Sequence, residues 1–432
     1  MTKNNPAQTL EFLDFTGLFE YYLQRKLNTP YFYPNVNTRA LNLIPHDQLQ
    51  ALRELFPHTQ KGVVYLNHAA VSPLSTRVVR AQTQHLQDRS SGKIETFFDD
   101  VVQIDLTKRC IQRMINAESF KRIALVGNTS DALNIVASGI DWKPGDRVLL
   151  NDQEFPANIY PYYHLKNQGV EIDVMKCPDG RVTPELIYSS LQPRTRLLAL
   201  SAVQFLSGYR ADLMLLGDVC RSKGIIFAVD GIQAVGGIEL DVQAMKIDAM
   251  AAGAPKWQMG PQGIGFLYLT EELQSRVHQK YLGWLSVENP FDFTNWDQPL
   301  DPAARRYEGG TVNIHGMWGL HAALSTLLEV GPSVIESHIM SLTQTLMDEF
   351  LDATDVKLFS PVELSERAGI VTIELPTSVD PTLAFQELTR REVFISLRNG
   401  KFRYSPHFYN TREEILSAAT NTKDVFRLLS KK

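Results

Sequence analysis

The sequence predicts an α/β fold with a mostly parallel sheet in a large domain and a smaller C-terminal α/β domain. Three observations carry that expectation. From Lys121 to residue 252, short apolar runs alternate with segments of helical pattern, as in a parallel sheet covered on both faces. One of those runs, Ile225 to Val229, is continuously apolar, which suits a strand buried on both sides. The chain has 432 residues, whereas single hydrophobic cores stop growing at roughly 250–300 residues.

In chain order, residues 1–60 read as an N-terminal helical arm, because Leu10, Leu13, Phe15, Leu18, Phe19, Tyr22 and Leu23 recur near helical spacing and Pro30 stops the pattern. The arm either packs on the body of the protein or, given the aromatic cluster Tyr31, Phe32 and Tyr33, covers the mouth of the site or a partner subunit. The large domain takes residues 61–320, with a helix opening at Ser75. Strands are predicted at Arg122 to Val126, Arg147 to Leu150, Glu171 to Met175, Arg196 to Leu200, Ile225 to Val229 and Asp248 to Ala252. Gly127 ends the first of these, and Asn128, Thr129 and Ser130 open a helix whose free amides and dipole suit a phosphate. The chain turns helical after Asn313 through Leu328, and the small domain of residues 321–432 has strands at Ile370 to Leu375 and Val393 to Ser396.

The stretch GIIFAVDGIQAVGGIELDVQAMKIDAMAAGAPK, Gly224 to Lys256, joins this architecture to chemistry. Its buried strand ends in Asp230, Gln233 follows, and Lys256 comes just beyond the next strand. Two neighbouring strand ends thus present an acid and an amine to the crevice where open α/β sheets place ligands. Pyridoxal 5′-phosphate needs that pair. The amine forms an imine with the aldehyde, and an aspartate against the pyridine nitrogen keeps it protonated, making the ring an electron sink. Gln233 is placed to donate to the ring 3-oxygen. Taken alone, the same residues also fit a strand-end cap, a solvent-facing glutamine and a surface lysine.

The wider text favours the cofactor. AVDGIQAVGGIELDVQAMKID followed by KWQMGPQGIGFLYL resembles the class V aminotransferases, the group of cysteine desulfurases, selenocysteine lyases, kynureninases and isopenicillin N epimerase-like enzymes. The resemblance runs from about Tyr65 to Asn410. It implies the type I fold of PLP-dependent transferases, with Lys256 holding the cofactor and moving the Cα proton and Asp230 facing the ring nitrogen. By the same resemblance Thr129 and Ser130 hold the phosphate, Phe155 stands where desulfurases carry a ring-stacking histidine, and Gln204 lies on the cofactor side. Thr311 in RRYEGGTVN is implied to reach the partner's phosphate across a homodimer with shared active sites. Arg403 is implied to grip the substrate carboxylate, with Arg398 and Lys401 as neighbouring candidates. Asn67 and His68 in VVYLNHAAVSPLS fall on the substrate side, Asn158 caps or orients the following helix, and Arg210 is structural. Two departures stand out. Pro255 replaces the usual phosphate-binding histidine and offers neither a side-chain donor nor an N–H. Between Ser396 and Arg403 the segment LRNGKF has no cysteine where a desulfurase carries its thiolate.

Composition narrows the partners. A net charge of −5 with interspersed signs argues against nucleic acid or an anionic membrane surface. No apolar run approaches transmembrane length, and the N-terminus lacks a secretory apolar core. Cys110, Cys177 and Cys220 are too few and too scattered for a disulfide framework or a zinc site, so no metal and a reducing, cytoplasmic setting are expected. The sequence therefore reads as an enzyme acting on a small α-amino acid. A β-eliminating C–S lyase is favoured, because elimination needs Lys256 and no protein thiol. Aminotransferase or epimerase chemistry, and a catalytically retired regulator that binds the cofactor or a metabolite, are the alternatives.

Overall fold

The structure, a computed structural model, describes residues 43–351 and 356–430. The predicted arm helix and the Tyr31 to Tyr33 cluster lie outside the described residues.

After the two-residue strand β1 (Val64–Tyr65) come seven strands of one large sheet: β2 (Ile123–Val126), β3 (Arg147–Asn151), β4 (Glu171–Met175), β5 (Thr195–Ser201), β6 (Ile226–Asp230), β7 (Ala249–Gly253) and β8 (Gly265–Leu269). Their spatial order is β2-β8-β7-β6-β5-β3-β4. All run parallel except β8, which is antiparallel to both of its neighbours. The six predicted strands are all present, each within one residue of its expected bounds. β8 was not anticipated. It returns from β7 through an irregular loop without a crossover helix, so the strand–helix alternation that revealed the others passes over it.

Alternate residues of the central strands feed two cores. Phe227, Val229, Met250 and Ala252 pack with the helices Phe97–Ile115 and Ile314–Val330, whereas Ile226, Ala228, Ala249 and Ala251 pack under the helix Thr129–Gly139. Burial on both faces explains why these strands read as unbroken apolar runs. Gly236 has a left-handed φ of 97°, and a Cβ there would stand 2.3 Å from the Trp257 carbonyl oxygen. Glycine alone lets the segment after Asp230 lie directly against the Lys256 loop.

The C-terminal region builds an antiparallel sheet from β9 (Lys357–Leu358), β10 (Val371–Glu374), β12 (Ser396–Arg398) and β13 (Lys401–Tyr404), in the order β12-β13-β10-β9. Between them β11 (Val393–Phe394) leaves this sheet and pairs in parallel with β1. The single strand expected at Val393 to Ser396 is therefore split at Ile395, which sends its two halves to different partners. The β12–β13 hairpin turns at Asn399 and Gly400, with φ of 48° and 72°. Both residues adopt positive φ, which suits the Asn-Gly pair of a two-residue hairpin. Leu346, Phe350, Ile373, Leu388, Phe402 and Ile415 fill the core of this unit, joined by Val64 and Leu66 from the β1 segment.

Candidate active site

Asp230 is the last residue of β6 and is 2% exposed. One carboxylate oxygen, Oδ1, accepts a 2.9 Å hydrogen bond from the Ile232 N–H, while Oδ2 has no partner among the described residues. Burial pushes the carboxyl up to about 7, the nearby Glu154 carboxylate adds to that, and Lys256 opposes it. Lys256 follows β7 on a loop clamped from both sides. Ser72 donates its N–H to the Pro255 carbonyl at 2.7 Å and its hydroxyl to the Lys256 carbonyl at 2.5 Å. His407 accepts from the Phe408 N–H on Nδ1 at 2.8 Å, so its Nε2–H donates to the Trp257 carbonyl at 2.9 Å. Burial lowers the Lys256 amine to about 8, and the charges of Arg403 and Arg398 push the same way against Asp230. An amine brought that low has a free-base fraction near neutral pH, as a nucleophile or base requires.

Phe155 lies 5.5 Å from the Lys256 amine at its ring centroid and packs edge-on against Phe205 at 5.4 Å. Its neighbour Glu154, which sequence reading passed over, organises this wall. Oε1 accepts from Asn151 Nδ2, the Ser201 N–H and Gln204 Nε2 at 2.7, 2.8 and 3.0 Å. Oε2 accepts from Asn158 Nδ2 at 3.0 Å and the Ser201 hydroxyl at 2.5 Å. Asn158 thus reaches back to Glu154 instead of capping the next helix; Asn128 caps the helix Thr129–Gly139. Gln204 is buried with its Oε1 unpartnered.

Gln233 is tied down more than the sequence suggested: Nε2 donates to the Ala69 carbonyl at 3.0 Å and Oε1 accepts from the Trp257 indole at 2.8 Å. One amide hydrogen remains for a ring oxygen. The Thr129 hydroxyl accepts the Gly253 N–H at 2.9 Å, joining the helix start to the end of β7 and leaving its own proton to donate. Ser130 follows it in the first turn, half-buried. Thr311 is exposed on the segment before the helix Ile314–Val330 and makes no side-chain hydrogen bond among the described residues.

The small sheet supplies the opposite wall. Arg403, on β13, is 2% exposed; it donates to the Phe205 carbonyl at 2.6 Å and to the Ser396 hydroxyl at 3.4 Å, and its Nε is buried without a partner. No acidic side chain pairs with it among the described residues, and burial depresses the guanidinium to about 10. A buried, unneutralised arginine calls for an anion. Ser396 in turn donates to Asn67 Oδ1 at 2.5 Å, which places Asn67 at this wall. His68 corrects the expectation of a substrate contact. It is fully buried, with Nδ1–H donating to the Ser405 carbonyl at 2.8 Å and Nε2 meeting the Tyr409 hydroxyl at 2.9 Å, so no ring nitrogen is left for a ligand. Arg210 is structural, ion-paired with Glu336.

The residues fit pyridoxal phosphate. Asp230 Oδ2 awaits a cationic N–H, the Thr129 O–H and Gln204 Oε1 are unspent, and a Cβ at Gly253 would stand 3.1 Å from Thr129 Oγ1. Among the described residues no group of His, Cys, Asp or Glu side chains could hold a metal ion, and no helix is long and apolar enough to cross a membrane. Cys110, Cys177 and Cys220 are all buried, and burial raises each thiol, to about 11 for Cys177 and about 12 for Cys220.

Comparison with known proteins converges on one family. Residues 64–415 match the family model "Aminotransferase class-V". The chain is similar to a probable cysteine desulfurase of Methanothermobacter thermautotrophicus, 28% identical over 82% of this chain and 92% of that protein. It is also similar to an uncharacterized aminotransferase, YcbU, of Bacillus subtilis, 27% identical over 85% of this chain and 95% of that protein. Among solved structures, the apo cysteine desulfurase of Thermococcus onnurineus superposes with a TM-score of 0.80 at 24% identity, covering 92% of this chain and 100% of that one. The cystine C-S lyase C-DES, in complex with cysteine persulfide, superposes with a TM-score of 0.78 at 22% identity, covering 85% and 99%.

Proposed function

The chain belongs to the class V aminotransferase family of pyridoxal-phosphate-dependent enzymes, and from that premise we propose that it is a lyase that eliminates a sulfur leaving group from Cβ of a small α-amino acid. The type I fold of that family is the one described above. When bound, pyridoxal phosphate supplies the electron sink that makes the substrate Cα–H acidic. Arg403 holds the α-carboxylate, a planar task suited to guanidinium. Lys256 would hold the cofactor in the resting enzyme, and its amine would take the Cα proton. Asp230 would hold a proton at the ring nitrogen, Phe155 would cover the ring, and Thr129 and Ser130 would bind the phosphate. The Cα–H electron pair expels sulfur as a thiolate, and hydrolysis of the released 2-aminoacrylate gives pyruvate and ammonia.

One observation carries elimination over protein-bound sulfur transfer. All three cysteines are buried with raised thiols, and the hairpin leading to Arg403 has Asn399 and Gly400 at its tip. Sulfur transfer to the protein needs an accessible thiolate. The relatives named cysteine desulfurase and the fold neighbour described as a cystine C-S lyase support a substrate with a Cβ–S bond. We further propose a homodimer in which the exposed Thr311 reaches the partner's phosphate, which sedimentation of the loaded enzyme tests. The chemistry is tested by incubating the loaded enzyme with L-cystine and L-cysteine. Pyruvate with ammonia is expected. Alanine with a persulfide on any of the three cysteines, or a keto acid that retains its sulfur, overturns the reading.

A further inference from the structure

One face of the small sheet is turned toward the large sheet's loops. From it Thr372 Oγ1 donates to the Leu206 carbonyl at 2.6 Å, Arg403 to the Phe205 carbonyl, and Ser396 to Asn67. The pairing register says what else stands on that face. Ser396 lies opposite Arg403 and Arg398 opposite Lys401, while Glu374 of β10 also lies opposite Lys401. Directly opposed residues share a face, and so do residues two apart on one strand. Arg398 and Lys401 therefore project on the same side as Arg403, one step nearer the hairpin tip. Their fates differ. Lys401 is neutralised by Glu374 at 3.0 Å, whereas Arg398 is exposed and pairs with no acidic side chain among the described residues. Its place on the face that carries Arg403 agrees with its charge lowering both the Arg403 guanidinium and the Lys256 amine.

We propose that Arg398 is a specificity residue that recognises a second anionic group on the substrate, at the far end of the sulfur-bearing side chain, while Arg403 takes the α-carboxylate. This deepens the lyase reading and rests on it: the preferred substrates are cysteine derivatives, thioethers or disulfides, whose sulfur substituent ends in a carboxylate. Two cations on one face, one buried and one exposed nearer the hairpin tip, match two anions separated by a flexible chain. The exposed position sets the scale of the effect, since a charged contact there is worth far less than a buried one.

The test uses the loaded enzyme and three thioethers of similar length: S-(2-carboxyethyl)-L-cysteine, S-propyl-L-cysteine and S-(2-aminoethyl)-L-cysteine. Half-saturation is read from the perturbation of the cofactor's visible absorbance, and turnover separately from pyruvate. The carboxyethyl compound should half-saturate the enzyme at a concentration about three- to tenfold below that of the aminoethyl compound, with propyl between. In Arg398→Ala the three values should converge, and in Arg398→Lys part of the order should return. Equal half-saturation by all three in the wild type, or an order that survives Arg398→Ala, overturns the proposal. Absence of pyruvate from every compound overturns the lyase reading alone, because the binding order is read without turnover.

Discussion

The two walls of the site are built on opposite electrostatic plans. On the large-sheet wall most polar groups are held from within the protein: Glu154 receives five hydrogen bonds, Gln233 is held at both ends, Asp230 accepts from the Ile232 N–H, and burial shifts Asp230 and Lys256 toward neutrality. On the small-sheet wall Arg403 is buried and Arg398 exposed, and neither has an acidic partner among the described residues. The difference separates two tasks. A resident cofactor is best served by groups fixed in advance, whose positions cost nothing to set when the ligand arrives. A substrate that comes and goes is bound through charges that it alone completes.

If that division holds, damage to the first wall abolishes chemistry and damage to the second weakens binding. The largest effect is expected for Lys256→Ala. It removes both the cofactor-holding amine and the Cα base, and kcat should fall by at least about ten-thousand-fold, the upper range of a lost general base. The visible absorbance of the loaded enzyme should change as well. Ordinary turnover by this variant would remove Lys256 from the first wall.

Asp230→Asn comes next. The amide preserves shape and can still accept from Ile232 N–H, but it cannot balance a protonated ring nitrogen, so kcat should drop by about a hundred- to a thousandfold. Titration with pyridoxal phosphate should show weaker loading. A variant with wild-type kcat would mean that the ring nitrogen is not answered by this carboxylate.

On the second wall, Arg403→Ala should raise KM by roughly thirtyfold or more, the cost of deleting one partner of a buried charge pair. Loading with cofactor should be unchanged within a factor of about two, far below the tenfold that 1.4 kcal/mol would produce. Arg403→Lys should recover only part of the affinity, because a point charge replaces a planar fork. If Arg403→Ala instead loses cofactor while KM stays constant, the two walls do not divide the work as described.

How much of this could be read in advance follows the same division. The parallel strands and the pair Asp230 and Lys256 were legible because strands buried on both faces leave unbroken apolar runs, and their carboxyl ends are where ligands sit. Glu154 was not legible. In the sequence it is one acid in a polar loop, and its partners from beyond that loop, Ser201 at the end of β5 and Gln204 just after it, are brought beside it only by the sheet. His68 was misread for a related reason: its hydrogen-bond partners, Ser405 and Tyr409, are more than three hundred residues away in the chain. The β12–β13 hairpin did leave a signal, the Asn399-Gly400 pair between Leu397 and Phe402, which face each other across it.

The smallest expected effect probes the most closed part of the first wall. All five partners of Glu154 are donors, so replacing it with alanine strands them in the interior and should cost about 3–5 kcal/mol of stability. Glu154→Gln is gentler. With the new amide nitrogen in place of Oε2, the Ser201 hydroxyl can turn to accept from it. Asn158, whose Oδ1 is now buried without a partner, can rotate its amide and accept as well. The fold should therefore survive, and what disappears is a negative charge that helps hold Asp230 above its ordinary value. Asp230 should then ionise at lower pH. In the loaded enzyme, the acid limb of kcat/KM should move to lower pH by a fraction of a unit. In the apo protein the linkage has a definite sign. A carboxyl raised from 3.8 to about 7 contributes stability that is present below the lower value and lost as pH rises through the upper one. Lowering the upper value shrinks that loss, because without Glu154 beside it ionised Asp230 costs less to bury. Apo Glu154→Gln should accordingly lose less melting temperature than the wild type between pH 5 and pH 8. Parallel melting curves for the two proteins across that range, with an unmoved acid limb, would show that Glu154 shapes this wall by hydrogen bonding alone and not through its charge.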